Sequence, residues 1–303
     1  MPSILRTFRD VQPLSSSEIG LALSKSSNTS APGPDQIPYR VWKKVNAINP
    51  HLLPALLGPL LQYSFLPLSL KRADGIVLSK PGKPDYSTPA FFRVIVLLET
   101  VSKIRERIVV TRLAPFAPSA GLINLNQCGS LARLSIFDVC ATLTHEIRTL
   151  QRPGLKASTL FLDIKGGFDN ISSSFLTSLL SSKGIPHYLV SWVKSFSSDR
   201  MCRLIFPGSP FGFALVEVGT PQGSPVSPLL FVIYVSVLHI SVPSGIMVSY
   251  IDDFTITVGS ISYRRNCQIF QHYYYSLKCK AARIGVSFSV PKTQPFHWRT
   301  PGD

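Results

Sequence analysis

Residues 248–258 read VSYIDDFTITV, two strand-like apolar runs flanking adjacent aspartates where a buried strand would carry valine or isoleucine. The pattern predicts a β-hairpin with Asp252 and Asp253 at its tip. Two ionised carboxylates about 4 Å apart repel by roughly 4 kcal/mol at an effective dielectric near 20, so any fold of this chain must accommodate the pair. It can lie on an exposed turn, share a proton, or hold a cation. Acids are scarce, 16 Asp and Glu in 303 residues, which makes their placement informative.

TLFLDI, 159–164, reads as a short buried strand with Asp163 near its end. GIVLSK and FFRVIVLL, within 75–98, read as two strands joined by the loop PGKPDYSTPA. SSSE at 15–18 is a capping box for a short helix. Helical patterns follow over 39–70 with proline interruptions, then over 99–113, 135–150, about 170–182 and 228–239. A basic helix is expected over 276–284, followed by VSFSV and a tail, PKTQPFHW. Helices and short strands mix without a βαβ rhythm, which predicts an α+β fold.

The net charge of +15 reflects few acids as much as 31 Lys and Arg. It points to a polyanionic partner, nucleic acid first and an anionic membrane surface second, against the bland alternative of a solvated basic face. The basic segments 71–112 and 264–283 are the expected phosphate trackers. Five widely spaced cysteines without a CxxC predict free thiols in a reducing, intracellular compartment. The N-terminus lacks the apolar core of a signal peptide. Two apolar stretches, 52–70 and 228–242, read as buried helices rather than membrane spans. Prolines interrupt the first, and the second falls short of the roughly 20 residues a bilayer needs.

Asp163 supplies a third carboxylate at a strand end, and two adjacent strands would bring it beside the hairpin. Three converging carboxylates call for a divalent cation, and hard oxygen ligands suit Mg²⁺. Two such ions about 4 Å apart serve in-line displacement at phosphorus.

FLDIKGGFDN (161–170), GTPQGSP (219–225) and YIDD (250–253) resemble reverse-transcriptase motifs A, B and C in order and rough spacing. With APGPDQIP at 31, LSKPGKPDYSTPAFFRVIVLLETVSKIRERIV at 78–109, NQCGS at 126 and PKT at 291, the chain resembles the enzymes of non-LTR, LINE-type retrotransposons over residues 31–298. The resemblance implies a right-hand polymerase-like fingers and palm with an antiparallel palm sheet. A serine-rich flank would cover 1–30, a fingers-rich part 31–157, a palm-rich part 158–298 and a tail 299–303. The chain stops soon after motif D, so a thumb is expected to be largely missing. The implied metal ligands are Asp163, Asp252 and Asp253, with the backbone carbonyl of Ile164, for two Mg²⁺ ions or substituting Mn²⁺. Phe168 would lie under the incoming sugar, and Gln222 and Gly223 at the nucleotide. Lys80 and Arg93 would close over the triphosphate, with Lys83 competing for the place of Lys80. Lys292 would protonate or steady the pyrophosphate. The implied partners are an RNA template, a DNA primer and dNTPs, in the nucleus, with no membrane and no stated oligomeric state. The chain departs from the family at Val94, where proline is common, at Gln36, where glycine is common, at Gly167, where alanine is common, and at Leu134, where arginine is frequent. An inactive relic that only binds nucleic acid, and a group II intron maturase-type enzyme, are the alternatives.

Overall fold

A computed structural model describes residues 11–82, 85–130, 134–206 and 212–299. They form two compact units that interleave along the chain. The first comprises Met1–Phe116 and Ser173–Ser227, the second Ala117–Ser172 and Pro228–Asp303. In chain order the strands are β1 Arg72–Ser79, β2 Phe92–Leu98, β3 Gln127–Cys128, β4 Lys156–Lys165, β5 Arg200–Ile205, β6 Ala214–Val216, β7 Gly245–Tyr250, β8 Asp253–Ser260, β9 Ser287–Phe288 and β10 Gln294–Trp298.

In the first unit the expected hairpin forms, with β1 and β2 antiparallel from Ala73↔Leu98 to Ser79↔Phe92. The sheet continues in the order β2-β1-β5-β6, and β5 runs parallel to β1. An ion pair fixes that parallel register. Asp74 and Arg203 are directly opposed, with Arg203 Nη2 2.9 Å from Asp74 Oδ1. The capping box closes as the sequence indicates: Ser15 caps the helix Ser16–Ser24 and Glu18 reaches back to it. Glu18 also pairs with Arg112 at 2.7 Å, tying this helix to the helix Thr100–Leu113.

The second unit is built on a sheet of order β10-β4-β8-β7-β3, with β9 paired to β4. It is antiparallel except for β3, which runs parallel to β7. The helices Ile136–Gln151 and Tyr263–Arg283 pack on it. Asn266 donates to Lys156 O at 2.7 Å and to Ser158 Oγ at 2.8 Å, bonding the long helix to β4. The apolar helix Ser227–Val235 is buried on all sides, Leu229 through Val235 each at 2% exposure or less, which accounts for an apolar run without a polar face.

Two sequence expectations change. The tail QPFHW forms β10 on the edge of β4, where Pro295 is tolerated because an edge strand has no second ladder to complete. The basic helix begins at Tyr263, not Ser276. Among the described residues no helix is long and apolar enough to cross a membrane, and all five cysteines are free.

Candidate active site

In the second unit, β4 and β8 pair antiparallel so that Asp163 stands directly opposite Asp253. The hairpin β7–β8 closes with Tyr250 opposite Asp253, leaving Ile251 and Asp252 as the turn. Asp252 therefore lies in the turn, and Asp253 opens the strand. Ile251 adopts φ +55°, a left-handed conformation that costs a branched side chain on the order of 1–3 kcal/mol. Two backbone bonds hold the turn there: Ile251 N–H to Cys128 O at 3.1 Å, and Ile164 N–H to Asp252 O at 3.2 Å. Gly129 makes room for it, because a Cβ at 129 would come 2.6 Å from Ile251 Cγ1. NQCGS is thus the brace behind the aspartates, a role its sequence did not signal.

Lys292 follows a short turn after β9 and places its ammonium 2.7 Å from Asp163 Oδ1. Ser289 N–H bonds Asp163 O at 2.8 Å, pinning that segment to the end of β4. The Lys292 side chain is 65% exposed, so the pair adds little stability, about 0–1 kcal/mol. Its electrostatic effect on the cluster is clearer. The Asp163 carboxylate, by hydrogen bond and charge, holds the Lys292 ammonium above the usual lysine range, with Asp253 and Asp252 adding to it. Partial desolvation raises the Asp253 carboxyl although solvent reaches its side chain, and the negative charges of Asp252 and Asp163 push it further up. Lys292 opposes them. The four groups behave as one electrostatic cluster. Phe168 lies in the loop after β4, half-buried, its ring centroid 5.0 Å from that of Phe231.

The other expected residues belong to the first unit. Lys80 ends the β1–β2 hairpin, donating its backbone N–H to Phe91 O at 2.8 Å and its ammonium to Ala90 O at 2.9 Å. Lys83 lies outside the described residues. Arg93 is exposed on β2, opposite Leu78. The outer edge of β2 is occupied by the Gln222 loop, whose Gln222 O accepts from Val96 N–H at 2.7 Å. Gly223 is required there. Its φ is +127°, and a Cβ would meet Val96 O at 2.6 Å.

The profile of the reverse transcriptase (RNA-dependent DNA polymerase) family matches residues 79–303. The chain belongs to the reverse transcriptase family. Its relatives agree. It is 26% identical to the probable RNA-directed DNA polymerase from transposon X-element of Drosophila melanogaster, over 74% of this chain and 24% of that one. It is 25% identical to the probable RNA-directed DNA polymerase from transposon BS of the same fly, over 93% and 32%. It is 23% identical to the RNA-directed DNA polymerase from mobile element jockey of Drosophila funebris, over 92% and 31%. This reverse transcriptase domain thus spans about a quarter to a third of the length of these relatives, and the resemblance to non-LTR retrotransposon enzymes read from its motifs holds.

Among the described residues, no group of three or more His, Cys, Asp or Glu side chains stands ready to hold a metal ion. The donor chemistry nonetheless fits a hard cation. Asp163 and Asp253 are opposed across one ladder with Asp252 adjacent, no thiol or imidazole competes among them, and Lys292 supplies the positive charge on Asp163.

Two further residues of this reverse transcriptase, Glu106 and Arg200, shape the Gln222 loop and were not legible beforehand. Glu106 is fully buried and accepts from Ser224 Oγ through a short hydrogen bond and from Ser102 Oγ at 3.2 Å. Burial pushes its carboxyl up. Arg200, itself buried and pushed down to about 10 by desolvation, donates to the carbonyls of Gly219 and Val218. The available signal was Glu106 standing alone among Lys103, Arg105 and Arg107.

Proposed function

We propose that this chain is the polymerase part of a LINE-type element, joining a dNTP to a primer 3′-hydroxyl under the direction of an RNA template. The observation that supports the reading is the register Asp163↔Asp253, with Asp252 in the adjoining turn and Lys292 bonded to Asp163. Asp163, Asp252 and Asp253, with the Ile164 carbonyl, would hold two Mg²⁺ ions, or Mn²⁺ in their place. Bound there, the ions supply charge neutralisation at phosphorus and a lowered pKa for the attacking hydroxyl.

The chain's own residues do the rest. Lys292, now 2.7 Å from Asp163 Oδ1, would turn from that carboxylate to the pyrophosphate oxygen as it departs. Phe168 would face the sugar and exclude a 2′-hydroxyl. In the first unit, Lys80 and Arg93 offer a point charge and a planar fork to the triphosphate, and Gln222 offers its amide to the nucleotide while its backbone is fixed on β2. On this reading the first unit is fingers-like and the second palm-like.

Primer extension on an RNA template with dNTPs and Mg²⁺ tests the reading. Extension by the parent and none by an Asp252→Asn, Asp253→Asn variant is expected. A folded parent that binds template but extends nothing would support nucleic-acid binding alone.

A further inference from the structure

Resting on the reading of Phe168 as the residue that faces the incoming sugar, we propose that Phe231 is a positioning residue for sugar discrimination, and that Gly167 exists in this chain to admit it.

The loop that carries Phe168 is fixed in its backbone. Gly166 takes φ +60°, and the Asn170 side-chain amide donates to Lys165 O at 3.1 Å and Gly166 O at 2.9 Å, closing the turn around a short 3₁₀ segment, Phe168–Asn170. What remains free is the Phe168 ring, which is only half-buried. Its aromatic partner is Phe231, at 5.0 Å between centroids and 31° between planes. Phe231 is 0% exposed, in a helix whose neighbours Leu230 and Val232 are equally buried, so it has nowhere to retreat.

Gly167 completes the device. A Cβ built at 167 would stand 2.7 Å from both Cε2 and Cζ of the Phe231 ring, a distance side chains do not tolerate. An alanine here would force that ring aside, and with it the surface on which Phe168 rests. Glycine at 167 and phenylalanine at 231 are therefore a matched pair: the absent methyl leaves the space that the ring fills beside Phe168. Gly167 has φ −51°, so no backbone requirement for glycine competes with this steric one. A ring that rejects a single hydroxyl does so by where it stands, and a ring that can tilt rejects poorly.

The test measures discrimination, which lost stability alone would not change. The full chain on an RNA–DNA primer–template would be titrated with dGTP and with GTP. Binding would be read in Ca²⁺, where no turnover is needed, and incorporation in Mg²⁺. Six chains are compared: the parent, Phe168→Val, Phe231→Leu, Gly167→Ala, and the last two each combined with Phe168→Val, each with its thermal midpoint. Phe168→Val is expected to raise the GTP-to-dGTP ratio most. Phe231→Leu and Gly167→Ala should each raise it about tenfold, and neither should add anything in the Phe168→Val background. An unchanged ratio in both Phe231→Leu and Gly167→Ala, beside a raised one in Phe168→Val, overturns the inference while leaving the role of Phe168 standing. An unchanged ratio in Phe168→Val overturns that role and the inference together. A parent that binds neither nucleotide overturns the polymerase reading itself. Gly167→Ala keeps the question open to an answer should the buried Phe231→Leu fold poorly.

Discussion

The carboxylate edge of the second unit and the Gln222 loop of the first unit are built on opposite principles. At the edge the charged groups lie at the surface to different degrees: Lys292 is largely exposed, Asp253 is exposed, Asp252 and Asp163 are half-buried, and one ammonium offsets three carboxylates. Precision there comes from backbone, through the β4–β8 register and the brace of Cys128 and Gly129 on Ile251. At the loop, precision comes from buried ionisable groups: Glu106 beneath Ser224, and Arg200 beneath Gly219. Removing a solvated charge at the edge should abolish function and spare the fold. Removing a buried group at the loop should damage both.

Asp253→Asn gives the largest effect. Extension is expected to fall by about 10³-fold or more, in line with losing a group that acts in the transition state. The thermal midpoint should hold or rise, because a like charge leaves the neighbourhood of Asp163 and Asp252. A midpoint lowered by many degrees would break the contrast from the edge side.

Glu106→Ala should test it from the loop side. It strands the buried hydroxyls of Ser224 and Ser102 and removes the carboxyl that faces Lys103 and Arg105, at roughly 3–5 kcal/mol in denaturant unfolding. Glu106→Gln keeps an acceptor and should lose distinctly less. Equal losses would mean the contact with Ser224 contributes nothing.

Gly223→Ala comes next, combining φ +127° with a 2.6 Å approach to Val96 O. About 1–3 kcal/mol of destabilisation is expected, together with a raised KM for dNTP. An unchanged KM would separate the loop from nucleotide binding.

A smaller effect comes from His239, which bonds Ser249 at 2.9 Å and is pushed down to about 4 by burial. The unfolded chain takes up this proton near pH 6.5 while the folded chain resists it down to about 4. Stability should therefore be fully present above pH 6.5 and fall between 6.5 and 4, by on the order of 1–3 kcal/mol. His239→Gln should flatten that stretch of the stability profile, and an unaltered slope would assign it to other groups.

Much of this arrangement was legible because its signals are local. The alternation around Asp252 and Asp253 gave the hairpin, GIVLSK and FFRVIVLL gave β1 and β2, and Ser15 with Glu18 gave the first cap. What escaped depends on residues far apart in sequence. β10 exists because Trp298 Nε1 reaches Thr159 Oγ1 at 2.8 Å and the strand pairs with β4, while Pro295 alone argues against a strand. The helix Tyr263–Arg283 buries Asn266, Phe270, Leu277 and Ala281, a proper helical period disguised by a polar member and by the run Tyr273–Tyr275, of which only Tyr275 is exposed. The parallel pairing of β1 with β5, and the three crossings of the chain between units, leave no mark in any short window.

The central claim is that the end of the β4–β8 ladder holds metal, and iron-mediated hydroxyl-radical cleavage reads this without any need for turnover. The full chain would be loaded with Fe²⁺ in place of Mg²⁺, treated with ascorbate and peroxide, and its fragments sized. Cuts clustered around residues 161–166 and 249–254, competed away by Mg²⁺ and absent in Asp253→Asn, are the expected result. Cuts confined to other segments, or a pattern that Asp253→Asn leaves unchanged, would contradict it.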